Sequence, residues 1–310
     1  MNPTPLPRSA LVLAVDVGGT TIKAEVVDGH GNVVASGAAH TPYGGEALVA
    51  TRHLGHRLIE QAGQESDSPV SRACVIVPGL VDRSRGIGTL SANIGWHNLD
   101  LVSPLENAWK MPVLLDHDVT IAGWAEWQCG AGRGCDDMFF VALGTGVAAA
   151  IVAGGHLLRG GLGQGGEFGH VIVRPGGPRC GCGSHGCVEA LCSAASIVRG
   201  YRELSGRQVS GAADVLELVP SDPVARWVWE SALAALGDGL ISVVNVLSPA
   251  RIVVGGGLAE AKDALTRPLY DALHGLAGLV PVPAIVGAEH GTRAGLVGAA
   301  LLAQRGAVED

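Results

Sequence analysis

Two short stretches of this 310-residue chain hold most of the residues whose types and spacing can do chemistry. The first is Asp16-Val17-Gly18-Gly19-Thr20-Thr21-Ile22-Lys23, an acid, two glycines and a lysine where an apolar run turns back on itself. Without Cβ atoms, Gly18 and Gly19 let backbone N–H groups approach anionic oxygens; Thr20 adds a hydroxyl donor, and Asp16 can hold Mg2+ through water. The run has neither the ending of a Walker loop nor the glycine spacing of a dinucleotide fingerprint, and it leads into a strand rather than a helix. A plain hairpin turn is the alternative. Gly144-Thr145-Gly146 offers a matching phosphate loop further along.

The second stretch is Gly165-Gly166-Glu167-Phe168-Gly169-His170, followed by Cys180-Gly181-Cys182-Gly183-Ser184-His185-Gly186-Cys187-Val188-Glu189. One imidazole, His170, and three thiolates, Cys180, Cys182 and Cys187, complete a tetrahedral shell with no open position, which predicts a structural Zn2+ rather than a Lewis acid. His185 is a competing ligand, and reduced cysteines without metal are the alternative. Glu167 and Glu189 flank the ligands without being needed for the shell. They are either carboxylates fixed to accept hydrogen bonds from ligand hydroxyls or ordinary surface acids.

Asp118 stands just before the apolar-periodic stretch Val119 to Trp127. It reads equally as a helix N-cap and as a general base taking a proton from an attacking hydroxyl. His117 is its rival, since imidazole titrates near neutrality, although a lone histidine is more often just a hydrogen-bonded side chain.

The elements that must position these groups follow from apolar periodicity. Leu11 to Val17 reads as a buried strand, Ile22 to Val27 and Asn32 to Ala38 as a hairpin around Asp28-Gly29-His30-Gly31, and Ala73 to Val77 as another strand. Glu46 to Gln61 and Val119 to Gln128 read as helices, with a short strand at Val113 to Leu115. A second set starts at Met138 to Leu143, turns through Gly144-Thr145-Gly146 and continues as Val147 to Ala153. At a constant offset Val15 falls on Val141, Gly18 on Gly144, Gly29 on Gly155 and His30 on His156, which predicts a duplicated core, with chance similarity between glycine-rich hairpins as the alternative. Asp222 to Leu247 is a long amphipathic helix, Arg251 to Val254 a strand ending in Gly255-Gly256-Gly257, and Gly295 to Gln304 a small-residue helix.

Composition narrows the class. At 47% hydrophobic and 16% charged, the chain suits a large packed core in two domains. A net charge of −8 offers no basic field for nucleic acid. Apolar runs such as Leu11 to Val15 are far shorter than a bilayer needs, and the first ten residues lack a secretory signal, so a cytoplasmic protein is expected. Seven cysteines, three of them crowded together, read as metal thiolates and not as a disulfide framework.

Together the motifs resemble those of the ROK family of bacterial sugar kinases, repressors and related proteins, nearest to its glucokinases. The residues that carry the resemblance are Asp16 to Lys23, Val77 to Asp82, Ala92 to Trp96, Asp118 with Trp124-Ala125-Glu126, Leu143 to Gly146, Gly165 to His170, Cys180 to Glu189 and Val254 to Gly257. The resemblance implies an actin-like (ribonuclease H-like) two-lobed α/β fold with a duplicated core, an inserted zinc loop at 170–189 and the active site in the cleft. The small lobe would span 1–117, the large lobe 118–291, and a C-terminal helix near 292–310 would pack back on the small one. It further implies ATP-dependent phosphorylation of a hexose, glucose to glucose 6-phosphate, with Asp118 as base and Mg2+ accompanying ATP. Gly79, Asn93, His117, Glu167, His170 and Glu189 would line the sugar site, with His170 serving both metal and sugar. Asp16, Gly18, Gly19, Thr20, Lys23, Gly144, Thr145 and Gly146 would face phosphates, and Gly255, Gly256 and Gly257 the nucleoside. Another sugar (N-acetylhexosamine, mannose or fructose), polyphosphate as donor, or a sugar-binding regulator without a DNA-binding domain are the alternatives; homodimers or homotetramers are the family's usual assemblies. The sequence departs from the family at His117-Asp118-Val119-Thr120, where Asn-Asp-x-Asn is usual, and at Ala148 and Ala149, where glycines commonly follow.

Overall fold

The computed structural model describes residues 4–308. It separates into two compact units, one comprising the chain up to Ala125 together with Arg293 onward, the other Glu126–Thr292.

In the first unit β1 (Leu11–Val17), β2 (Thr21–Val27), β3 (Val33–His40), α1 (Glu46–Glu65), β4 (Val70–Val77), β5 (Leu80–Asp82), β6 (Ile87–Ser91), β7 (Trp96–Asp100), α2 (Val102–Trp109), β8 (Val113–His117) and α3 (Asp118–Cys129) follow in order. The main sheet runs β3-β2-β1-β4-β8, with β1, β4 and β8 parallel and β2 antiparallel to β1. Buried on both faces, β1 is a nearly continuous apolar run, whereas β2 alternates. Asp28 fixes the β2–β3 turn, its Oδ1 accepting from the N–H groups of His30 (2.8 Å) and Asn32 (2.9 Å). On α1 the buried Ala47, Thr51, Leu54, Leu58 and Ala62 recur at helical spacing against the sheet.

The C-terminal helix, Ala294–Arg305, lies against β1 and β4, and a Cβ at Gly298 would come within 2.3 Å of the Ile121 carbonyl. That contact keeps the first turns of α3 in this unit. The division therefore falls between Ala125 and Glu126, inside α3, and not ahead of Asp118 as the sequence suggested. The small sheet β5-β6-β7 carries too little apolar alternation to read as strands in the sequence.

The second unit contains β9 (Met138–Leu143), β10 (Val147–Ala153), β11 (His156–Leu158), α4 (Val188–Cys192), α5 (Ala194–Ser205), α6 (Ala212–Leu218), α7 (Pro223–Leu247), β12 (Arg251–Gly255), α8 (Asp263–Leu276) and β13 (Ala284–Gly287). Its sheet order, β11-β10-β9-β12-β13, repeats that of the first: a parallel β9-β12-β13 set with an antiparallel hairpin on the β9 side. The turn after β1 and the turn after β9 are thus topological equivalents, as the repeat predicted. Asp222 caps α7, accepting from Val224 N–H at 2.8 Å with Pro223 at the first helical position. By length and composition α7 is apolar enough to cross a membrane. Here Ala225, Val228, Trp229, Leu236, Leu240 and Val244 on it belong to the unit's core.

Candidate active site

In each unit the candidate residues gather at the carboxyl ends of parallel strands, where open α/β sheets bind ligands. In the first unit Asp16 lies near the end of β1, Gly79 just past β4, and His117 and Asp118 at the end of β8 and the start of α3. Gly79 has φ +94° and a Cβ there would meet the Leu90 carbonyl at 2.2 Å, so only glycine lets the chain leave β4 this way. Asn93 is exposed between β6 and β7, with its Cβ 3.6 Å from where a Gly19 Cβ would stand. This brings the turn after β1 and a candidate sugar contact together.

Asp16 is half-buried against the C-terminal helix, a Cβ at Gly295 lying only 3.0 Å from its Oδ2. Burial, then the charge of Asp118, lifts its pKa from 3.8 to about 7, with Lys23 across the hairpin opposing. Lys23 itself is exposed on β2. Gly18 spends its N–H closing the turn onto Thr21 O (3.1 Å) and its carbonyl on the Thr41 hydroxyl (2.8 Å). The exposed Gly19 and Thr20 are the parts of the turn that face solvent.

Asp118 keeps a quarter of its side chain exposed, while Oδ1 accepts from Val119 N–H at 2.7 Å and stands 3.3 Å from His117 Nε2. The opposite nitrogen of His117, Nδ1, lies 3.1 Å from Thr120 Oγ1 and accepts from Thr120 N–H at 3.3 Å. Both ring nitrogens of His117 are therefore engaged inside the protein, which leaves the ring no nitrogen for the direct sugar contact expected from sequence. Thr120 had no assigned role, and only its three-residue spacing from His117 at a helix start could have signalled this one.

In the second unit, Gly144 N–H closes the turn after β9 onto Gly146 O at 2.9 Å, which leaves Thr145 exposed. Glu189, on the first turn of α4, reaches this loop: its Oε2 accepts from Val147 N–H at 2.9 Å, and a Cβ at Gly146 would lie 2.7 Å from the same oxygen. Its Oε1 lies 3.9 Å from Cys180 Sγ, so one carboxylate touches both the turn after β9 and the cysteine cluster. Gly166 (φ +105°) and Gly169 lie flat on β10, where Cβ atoms would stand 2.1 Å from Ala149 O and 2.0 Å from Val147 O. At the end of β12, side chains at Gly255 and Gly256 would strike the Phe140 ring (2.7 Å) and the Leu143 carbonyl (2.5 Å); Gly257 faces open space. The first two glycines thus answer to the protein's own packing, and Gly257 alone keeps room for a ligand.

The donor atoms of His170, Cys180, Cys182 and Cys187 all lie within 4.8 Å of one another. His185 is exposed and outside this group. A tetrahedral ion with bonds of about 2.3 Å to sulfur and 2.05 Å to nitrogen needs edges of about 3.8 Å (S···S) and 3.6 Å (N···S). Cys182 and Cys187 sulfurs are 3.7 Å apart, and Cys180 Sγ is 3.6 Å from His170 Nδ1, so the residues fit such an ion. Nδ1 faces the thiols, while Nε2 lies 3.7 Å from Glu167 Oε2. Burial pushes the Cys187 thiol up to about 12.

Two mixed sheets of one topology, each with glycine turns at its parallel-strand ends, define a duplicated α/β protein. The chain belongs to the ROK family, whose description, "ROK family", matches residues 12–306. It is 35% identical to a glucokinase of Halalkalibacterium halodurans over 83% of either chain, and 32% identical to an N-acetylmannosamine kinase of Yersinia pseudotuberculosis over 94% of this chain and 98% of that one. Its fold is similar to that of a ROK family glucokinase from Streptomyces griseus in complex with glucose and AMPPNP, with TM-score 0.82, 30% identity, and 95% and 99% of the two chains covered.

Proposed function

We infer that this ROK protein is a sugar kinase that transfers the γ-phosphate of ATP to a hydroxyl of glucose, with Asp118 as general base. The observation that carries the reading is the pair of carboxylates, Asp16 and Asp118, at the carboxyl ends of two parallel strands, close enough that the charge of one raises the pKa of the other. Asp118 can take the proton of the attacking hydroxyl as the O–P bond forms and ADP departs. Asp16, Gly19, Thr20, Thr145 and Gly146 are assigned to MgATP phosphates, with Asp16 meeting Mg2+ through water, and Gly257 to the nucleoside. Mg2+ would supply charge neutralisation on the phosphates. Gly79, Asn93, Glu167, His170 and Glu189 are assigned to the sugar.

The metal we assign to His170, Cys180, Cys182 and Cys187 is Zn2+, which favours a tetrahedral three-sulfur, one-nitrogen set; with all positions filled it is structural. Through His170 and Glu189 it would hold the sugar side and the turn after β9 in place. A cytoplasmic homodimer or homotetramer completes the reading. The likeness to an N-acetylmannosamine kinase over most of the chain supports a second substrate, N-acetylmannosamine.

The test is coupled ADP release with MgATP and a hexose panel, beside Asp118→Asn. Glucose-dependent turnover lost in the variant supports the reading; preference for N-acetylmannosamine moves the substrate, and calorimetric sugar binding without turnover on any sugar refutes the kinase.

A further inference from the structure

Helix α3, like any helix, begins with four N–H groups that lack intrahelical acceptors, and the residue that precedes the helix, His117, supplies one with its ring. Thr120 N–H points at Nδ1 from 3.3 Å, with the Thr120 hydroxyl 3.1 Å from the same atom. A nitrogen that accepts a backbone N–H carries no proton of its own, so in the neutral ring the proton sits on Nε2. Nε2 is 3.3 Å from Oδ1 of Asp118, and that oxygen also accepts from Val119 N–H at 2.7 Å. The histidine's own N–H is held by Asp116 Oδ1 at 2.8 Å, which fixes the backbone from which the ring projects.

We propose that His117 is a positioning residue for Asp118: Thr120 locks its ring as the Nε2–H tautomer, that proton occupies Oδ1, and Oδ2 is left as the oxygen that takes the hydroxyl proton. This rests on Asp118 being the base. With two donors on Oδ1, rotation of the carboxylate would break two hydrogen bonds at once, so the syn and anti lone pairs of Oδ2 stay in one orientation through the transfer. The proton passes from the acceptor hydroxyl to Oδ2 as its oxygen bonds phosphorus and the bond to the leaving diphosphate breaks. The imidazole gains and loses nothing. The ring thereby does two separable jobs, helix cap through Nδ1 and carboxylate orientation through Nε2, where an amide of asparagine length can do only the first.

Two substitutions split the ring between these jobs. His117→Asn keeps an acceptor near the Nδ1 position but falls short of Asp118; His117→Gln keeps an N–H near the Nε2 position but caps poorly. His117→Asn should keep the wild-type melting temperature and sugar KM while kcat falls about 10- to 100-fold, the scale of a misplaced catalytic group. His117→Gln should lose thermal stability yet recover most of kcat. Nitrogen-15 NMR of the wild-type ring should find Nδ1 without a proton and Nε2 with one. A proton on Nδ1, or undiminished kcat in His117→Asn, overturns the proposal. Loss of all turnover in wild type, or full turnover in Asp118→Asn, would instead remove the base assignment on which it rests.

Discussion

Asp16→Asn should make the metal-free protein more stable, and increasingly so as pH rises. The Asp16 carboxyl is held near 7 against an ordinary 3.8, chiefly by burial and next by the charge of Asp118. Between these two values the folded protein keeps a proton that the unfolded chain has released, so stability falls as pH rises through that window and levels off above it. At about 1.4 kcal/mol per pH unit, the full penalty is on the order of 4 kcal/mol, of which about 3 kcal/mol accrues between pH 5 and 8.5. Asparagine stays neutral and escapes it. Urea unfolding of wild type and variant in chelator, without nucleotide, at the two pH values reads this group, because titrations that are not coupled to it cancel in the difference. The stability gap should widen by about 3 kcal/mol toward pH 8.5, while kinase activity in MgATP drops. A gap independent of pH would refute the argument that Asp16 is a desolvated carboxyl kept for charge rather than for packing.

Three further outcomes are expected. Stripping the metal with a strong chelator should release one Zn2+ per chain, read by a chromogenic indicator, and lower the melting temperature, because an ion held only by the folded loop 170–189 adds its binding free energy to folding. Gly186→Ala should destabilise by roughly 3 kcal/mol or prevent folding: at φ +74° its new Cβ would sit 1.6 Å from Arg174 O, read by denaturant titration. Gly257→Ala meets nothing within 4 Å and should leave stability within about 0.5 kcal/mol of wild type; if the nucleoside lies there, KM for ATP rises several-fold while the sugar KM holds.

Much of the site is legible in the residues themselves because its chemistry is local. Three cysteines within eight positions, Cys180 to Cys187, can close on one ion whatever surrounds them, once an imidazole is near. The turn Gly18 to Thr20 must reverse the chain between two apolar strands, and its repeat at Gly144 to Gly146 carries the duplicated core. By contrast, β5 to β7 are short and half exposed, so no period marks them, although they place Asn93 beside Gly19. Residue type alone also misassigned reasons. Gly255 and Gly256 have to be small for Phe140 and Leu143 whatever ligand they face, and those partners come from a neighbouring strand.

The sequence by itself determined the family, the two-part α/β architecture, the metal quartet and the acid at the start of α3, since each is written in spacing along one segment. Only tertiary structure decided what those groups do to one another. It set a half-buried Asp16 within reach of the charge of Asp118, ran Glu189 from the cysteine cluster to the turn after β9, and turned both nitrogens of His117 inward. Tautomer, protonation and carboxylate orientation depend on distances of about 3 Å between atoms brought together by folding, and no periodicity in the chain encodes a distance of that kind.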